Sequence, residues 1–110
     1  MIVRLLLWSL ADSTRTIEEL RRVLLDEAVG DAAEVDGLRL RAWISDAATD
    51  RYGILELWET REAADAQRYD AEHAFIGKDP DIGEEFELEA SVEGRFTLAA
   101  LSYRGLAFEA

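Results

Sequence analysis

The chain contains no cysteine, one histidine and one proline among its 110 residues. Without cysteine, disulfide bonds, thiolate zinc sites and cysteine nucleophiles are excluded. Basic residues number 12 against 24 acidic ones, and the resulting net charge of −12 disfavours binding to nucleic acid. No stretch approaches the ~20 apolar residues that a membrane span requires. These absences favour a cytoplasmic protein that binds neither nucleic acid nor membrane.

The residues that are present suit a globular protein. Apolar residues make up 49% of the chain, which excludes disorder, and the length suffices for a single core. The apolar start of the chain is interrupted by Arg4 and has no cleavage site, so residues 2–10 predict a buried strand rather than a signal peptide. We expect one domain over residues 1–96 and a C-terminal tail over residues 97–110.

Hydrophobic periodicity predicts two helices and four strands. Thr16, with Glu19 three places on, has the spacing of a capping box and starts the first helix. Gly30 is expected to end it, with a weak restart through residues 32–34 before Asp36-Gly37 turns the chain. The second helix is predicted to run from Arg61 to about Ala74. Strands are predicted over residues 38–45, 52–59 and 84–96, where apolar and polar residues alternate. The first helix presents an apolar stripe made of Ile17, Leu20, Val23 and Leu24, and the strand over residues 38–45 presents an apolar face made of Leu38, Leu40, Ala42 and Ile44.

The order βαββαβ predicts a ferredoxin-like α+β fold with a four-stranded antiparallel sheet and an extra C-terminal segment. Both faces of the third strand are apolar, with Ile54 and Trp58 on one and Leu55 and Leu57 on the other. Since the two helices can cover only one face, we expect a second copy to cover the other in a homodimer with its sheets face to face. The tail is either a fifth strand or a short helix. It is apolar enough that we expect it to pack on the partner subunit.

The element order, together with Glu56-x-Trp58-x-Thr60-x-Glu62-Ala63, resembles the dimeric α/β-barrel superfamily and within it the antibiotic-biosynthesis monooxygenase type. Residues 81–86 and the last strand are also similar to the YdhR-like branch of monooxygenases. The resemblance covers about residues 1–96. It implies a cofactor-independent monooxygenase that acts on an aromatic or polyketide-type molecule in secondary metabolism, or a polyketide cyclase-like acid–base enzyme of the same fold. Gln67 stands where family members commonly carry His or Trp.

Two residues are candidates for proton transfer. Glu56 lies mid-strand among apolar neighbours, so it is either paired with Arg4, Arg39 or Arg41, or is a protonated carboxyl that moves protons. His73 is either a surface residue or the best general base, because the ordinary pKa of histidine lies near neutrality. The candidate substrate-binding residues are Trp58, Trp43, Trp8, Gln67, Tyr69 and Arg41. Trp58 is alternatively a core residue, and Arg41 alternatively pairs with Glu85, Glu87 or Glu89.

The sequence offers no site for a bound cofactor. It has neither a Gly-rich phosphate loop nor a dinucleotide-binding motif. Alternate carboxylates of the strand around Glu87 lie ~7 Å apart, and no His or Cys cluster would complete a metal site. The expected partners are a second copy of the chain and a small hydrophobic or aromatic molecule. A non-catalytic dimer that binds such a molecule, or an accessory protein, is the remaining hypothesis, since it needs the pocket but no base.

Overall fold

The sheet consists of four antiparallel strands, β1 (Ile2–Ser9), β2 (Leu38–Asp46), β3 (Arg51–Trp58) and β4 (Ile82–Glu87). Their spatial order is β2-β3-β1-β4. The computed structural model describes residues 1–67, 75–95 and 103–109, without the side chains of residues 27 and 28. Helical residues follow β1 and β3 in the chain, so the predicted ferredoxin-like α+β fold is confirmed.

The helical region after β1 continues through the break that was predicted at Gly30. It consists of α1 (Ile17–Val23), a π-helical segment (Leu24–Ala28) and α2 (Val29–Ala32), which follow one another without a break. Thr16 caps α1 by accepting a hydrogen bond from the Glu19 N–H at 3.2 Å. The predicted end at Gly30 is wrong, because Gly30 lies inside α2 and has no positive φ. The chain uses glycine at Gly37 instead, where φ is 81° and an added Cβ would lie 2.5 Å from the Ala63 Cβ.

Helix α3 (Arg61–Ala66) begins where it was predicted, with Thr60 accepting a hydrogen bond from the Ala63 N–H at 3.1 Å. The prediction that it continues to about Ala74 is wrong, because Gln67 is extended with φ −104° and ψ 132°. The guanidinium of Arg4 donates to the carbonyl oxygens of Ala64 and Gln67. A buried cation therefore satisfies the carbonyls that the helix leaves open at its C-terminal end. Residues 68–74 lie outside the described residues.

Two strands also differ from the prediction. Strand β4 ends at Glu87 rather than at residue 96, since its ladder with β1 ends where Glu87 faces Ile2. Val92, predicted to lie inside that strand, is 94% exposed. In β2 a register shift between Leu38 and Leu40 sets Leu38 opposite Trp58. The irregularity separates Leu38 from the apolar face that it was predicted to share with Leu40, Ala42 and Ile44.

The core lies between the sheet and the helical residues. Trp8 and Trp58 have no exposed surface, and Ile54 and Leu6 are nearly as buried. The other face of the sheet, which we call the open face, exposes large apolar side chains on β2, β3 and β4 and carries half-buried ones on β1. The open face contains Val3, Leu5, Leu7, Leu40, Ala42, Ile44, Leu55, Leu57, Ile82 and Phe86.

Among the described residues, no helix has the length and apolar character needed to cross a membrane.

Asp81 joins the loop before β4 to the end of β1, and we expect this contact to depend on pH. The Ser9 N–H donates to Asp81 Oδ2 at 2.6 Å, and Lys78 pairs with the same carboxylate. These bonds hold the pKa of Asp81 below its ordinary value of 3.8. A pKa that is lower in the folded state than in the unfolded state stabilises the fold at pH values above the unfolded-state pKa. This stabilisation is lost as the pH falls through the folded-state pKa.

We therefore expect Asp81→Asn to be less stable than the wild type at neutral pH. The two proteins should be equally stable at a pH where the Asp81 carboxyl of the wild type is protonated in both the folded and the unfolded state. Urea unfolding over a series of acid pH values measures the difference. Asp12→Asn is the control, because Asp12 is exposed and has no partner among the described residues. A difference from wild type that stays constant with pH would contradict the assignment.

Candidate functional site

Four charged side chains, one from each strand, form a line across the sheet that we call the charged row. In spatial order they are Arg41, Glu56, Arg4 and Glu85, and each faces the next in the strand ladders. Their charges alternate in sign from β2 to β4. Opposite charges that face each other on neighbouring strands stabilise a sheet, so the row fixes the four strands relative to one another beneath α3.

Glu56 is the centre of the charged row and is 3% exposed. Its Oε2 accepts a hydrogen bond from Arg41 Nε at 2.6 Å, and its Oε1 accepts one from Trp58 Nε1 at 3.1 Å. The Arg4 guanidinium lies 3.6 Å from the same Oε1. The paired alternative for Glu56 is thus realised, with Arg41 and Arg4 as the partners. Arg39, the third candidate partner, pairs with Glu59 at 3.0 Å.

Trp58 and Trp8 lie in the core. The guanidinium carbons of Arg4 and Arg41 both lie 5.9 Å from the centre of the Trp58 ring, so the indole packs against the charged row. Trp8 Nε1 donates to the Lys78 carbonyl at 2.9 Å. Neither ring has exposed surface that a ligand would contact. Two further candidates, His73 and Tyr69, lie outside the described residues.

Gln67 lines a smaller cavity. Its backbone carbonyl is occupied by Arg4, while its side chain is half-buried. The cavity has a volume of about 440 Å³, and Arg4, Asp65 and Glu85 also line it. Carboxylates on two sides of this cavity disfavour an anionic ligand there.

A larger cavity lies along β2 at the edge of the sheet, and we call it the edge cavity. Its volume is about 740 Å³, which falls within the range of small-molecule pockets. Residues of α1, the π-helical segment and α2 form one wall, and β2 forms the other. The described part of the tail, which includes a 3-10 turn at Leu106–Phe108, also lines the cavity. Its apolar and aromatic lining includes Ile17, Leu24, Val29, Trp43, Tyr103 and Phe108.

The charged residues among the described lining of the edge cavity are all arginines, although the chain as a whole is acidic. Arg21, Arg39, Arg41 and Arg104 line it, whereas no Asp, Glu or His is among its described lining residues. Arg39 and Arg41 are neutralised by Glu59 and Glu56. No hydrogen bond or ion pair joins the Arg21 side chain to another described residue. Trp43 Nε1 is likewise buried without a hydrogen-bond partner among them. The cavity is therefore suited to an aromatic molecule that carries negative charge.

The structure brings together two of the residues singled out in the sequence, since Trp43 and Arg41 both line the edge cavity. Glu56 lies directly behind Arg41. Sequence reasoning missed Arg21 and the tail residues as lining residues. Arg21 had a recognisable signal, because it lies four residues after Ile17 and three before Leu24, on the apolar stripe of the helix. No sequence pattern indicated where the tail packs.

Solved structures with this fold include proteins described as antibiotic biosynthesis monooxygenases. A candidate enzyme of this type from Deinococcus radiodurans has a TM-score of 0.60 and 14% identity, over 87% of this chain and 100% of that one. One from Nitrosomonas europaea has a TM-score of 0.61 and 14% identity, over 82% and 100%. A variant of SnoaB, a cofactor-independent oxygenase from Streptomyces nogalater, has a TM-score of 0.56 and 11% identity, over 84% and 97%.

These likenesses establish the fold, and the sequence identities are too low to carry a function across. Neither a family model nor a curated protein matches the sequence. The fold that the resemblance implied is nevertheless confirmed, since the structural neighbours are of the antibiotic-biosynthesis monooxygenase type.

Proposed function

We propose that the protein is a cofactor-independent oxygenase that binds an electron-rich aromatic molecule as its anion in the edge cavity. The observation that carries the proposal is the composition of this cavity, which combines aromatic and aliphatic walls with arginines and has no described acid. The fold shared with SnoaB, itself described as a cofactor-independent oxygenase, supports the proposal.

The reaction that suits such a cavity is the oxidation of a methylene or phenol carbon by molecular oxygen. The substrate loses a proton to give a carbanion, which transfers electrons to oxygen and forms a carbon–oxygen bond. Cleavage of the oxygen–oxygen bond then leaves a carbonyl on the substrate, and the second oxygen atom leaves as water. Cationic donors stabilise the substrate anion, and apolar walls exclude bulk water. In this protein Arg41, held in place by Glu56, would donate a hydrogen bond to the substrate anion, and Trp43 would supply the flat wall.

The proton acceptor in this proposal is His73, because its ordinary pKa is near that of an effective base at neutral pH. Glu56 is the less suitable of the two candidates, since both carboxylate oxygens accept hydrogen bonds from protein donors. Its proposed part is to fix the orientation of Arg41 at the cavity wall.

Oxygen uptake with a panel of anthrone-type and naphthol-type substrates tests the proposal. We expect uptake of one oxygen molecule for each substrate oxidised, at a rate above that of buffer alone. His73→Ala should lower kcat by about 100-fold, the usual contribution of a general base, with little change in ligand affinity measured by calorimetry. Asp12→Asn, an exposed variant outside the described lining of the edge cavity, is the control. Absence of oxygen uptake with every substrate would contradict the proposal.

The second candidate is a binding module without catalysis. It is favoured by one observation, the full engagement of Glu56 by Arg41, Arg4 and Trp58 in ion pairs and hydrogen bonds. The two candidates differ in the same experiment. If the protein binds substrates of the panel tightly but takes up no oxygen, and His73→Ala binds them with the same affinity, the non-catalytic binding module is favoured.

The open face supports the proposal that the chain functions as a homodimer. Leu40, Ile44, Leu55, Ile82 and Phe86 on this face are between 37% and 52% exposed. Apolar side chains cover this face on β1, β2 and β3, and on β4 they flank Glu84, which lies opposite Leu5. An apolar patch of this kind is typical of an interaction surface, and a second copy with its sheet packed face to face would bury it. That residues 97–110 also reach the partner subunit stays a prediction.

A further inference from the structure

We infer that the edge cavity recognises a carboxylate group on its aromatic ligand and that Arg21 is the residue that binds it. The inference rests on the proposed function only for the location of the ligand. It specifies the substrate class as a flat aromatic acid and makes Arg21 a specificity-determining residue. Arg21 has no part in the chemistry of oxygen.

The first argument is the position of Arg21 on its helix. Ile17 and Leu24 lie one turn before it and one turn after it on the same face, and they are 6% and 8% exposed. Side chains three and four residues apart on a helix are neighbours. The Arg21 side chain consequently lies toward the apolar side of α1, and the residue is half-buried and lines the edge cavity.

The second argument is the missing partner. A half-buried charge is costly unless it is paired, and the chain contains 24 acidic residues against 12 basic ones. Partners are therefore plentiful, yet no described side chain pairs with Arg21. Arg39 and Arg41, which lie on the β2 wall of the cavity, each have a glutamate at 3.0 Å or less. Arg21 thus carries positive charge that an anion bound in the cavity would neutralise.

The third argument identifies the anion. One uncompensated guanidinium matches one negative charge, and its planar pair of N–H donors fits the two oxygens of a carboxylate. Trp43 Nε1, the buried donor without a partner in the other wall, offers a hydrogen bond to an acceptor on the same ligand. The rings of Trp43, Tyr103 and Phe108 supply flat apolar surface for the body of the ligand.

The test uses naphthoate and its uncharged analogue naphthamide, neither of which is a substrate for oxygenation. Isothermal titration calorimetry on the full-length protein measures both affinities. We expect naphthoate to bind at least tenfold more tightly than naphthamide, the size of one charge-assisted hydrogen bond. Arg21→Gln should remove that preference by weakening naphthoate alone. Arg21→Lys should restore part of it, because the charge remains while the planar fork is lost.

Arg22→Gln is the matched control, since Arg22 is the next residue on the same helix and is exposed. It should leave both affinities unchanged. Equal affinities of the wild type for the two probes, or equal effects of Arg21→Gln and Arg22→Gln, would overturn the inference. Oxygen uptake separates this outcome from failure of the proposed function. If the protein oxidises anthrones but binds naphthoate and naphthamide equally, only the inference about Arg21 is refuted. If it binds naphthoate through Arg21 but takes up no oxygen, only the proposed oxygenase function is refuted.

Discussion

Replacement of Glu56 by glutamine is expected to lower the free energy of unfolding by about 3 kcal/mol, the cost of breaking a buried ion pair. The substitution keeps the size of the side chain and removes its charge. Arg41, whose side chain is 14% exposed, then loses the carboxylate with which it pairs at 2.6 Å. Arg4 is less affected, because Glu85 and two helix carbonyls remain as its partners.

Chemical denaturation of Glu56→Gln and Glu59→Gln measures this effect against a matched control. Glu59 makes the same kind of pair with Arg39 at 3.0 Å, but both side chains are more than half exposed, so its loss should cost less than about 1 kcal/mol. Equal losses in the two variants would contradict a structural role for the charged row. If Glu56→Gln kept its stability and lost kcat, Glu56 would be the proton acceptor instead of His73.

Replacement of Leu55 by glutamate is expected to convert the proposed homodimer to folded monomers. Leu55 lies near the centre of the open face, where it faces Leu5 on β1 and Ala42 on β2. In a two-fold dimer each copy would bury an unpaired carboxylate, at a cost of several kcal/mol. The dissociation constant should therefore rise by at least about 100-fold. Leu55 is already 37% exposed in the single chain, so the monomer should keep its fold.

Sedimentation velocity over a dilution series measures the dissociation, and circular dichroism checks the fold. Val92→Glu is the control, because it places the same charge on an apolar residue that is 94% exposed and outside the sheet. This variant should dimerise as the wild type does. A wild-type protein that is monomeric at high concentration, or a Leu55→Glu variant that remains dimeric, would contradict the proposed interface.

Local patterns predicted most of the fold. The cap formed by Thr16 and the start of α3 after Thr60 follow from hydrogen bonds within a few residues, and such bonds are read directly from spacing. Alternation likewise placed Glu56 and Trp58 on one face of β3. The same reasoning failed for the end of β4, because a strand needs a neighbour and alternation does not reveal where the neighbouring strand ends.

The sequence by itself determined the element order, the strand faces and the acidic, cysteine-free character that excludes whole classes of partner and site. Only the tertiary structure decided which charges meet. Cross-strand register placed Arg41 and Arg4 opposite Glu56, and packing of the tail against α1 brought tail residues to the edge cavity beside Arg21. The reason is that periodicity describes one element at a time, whereas a site depends on how distant elements pack together.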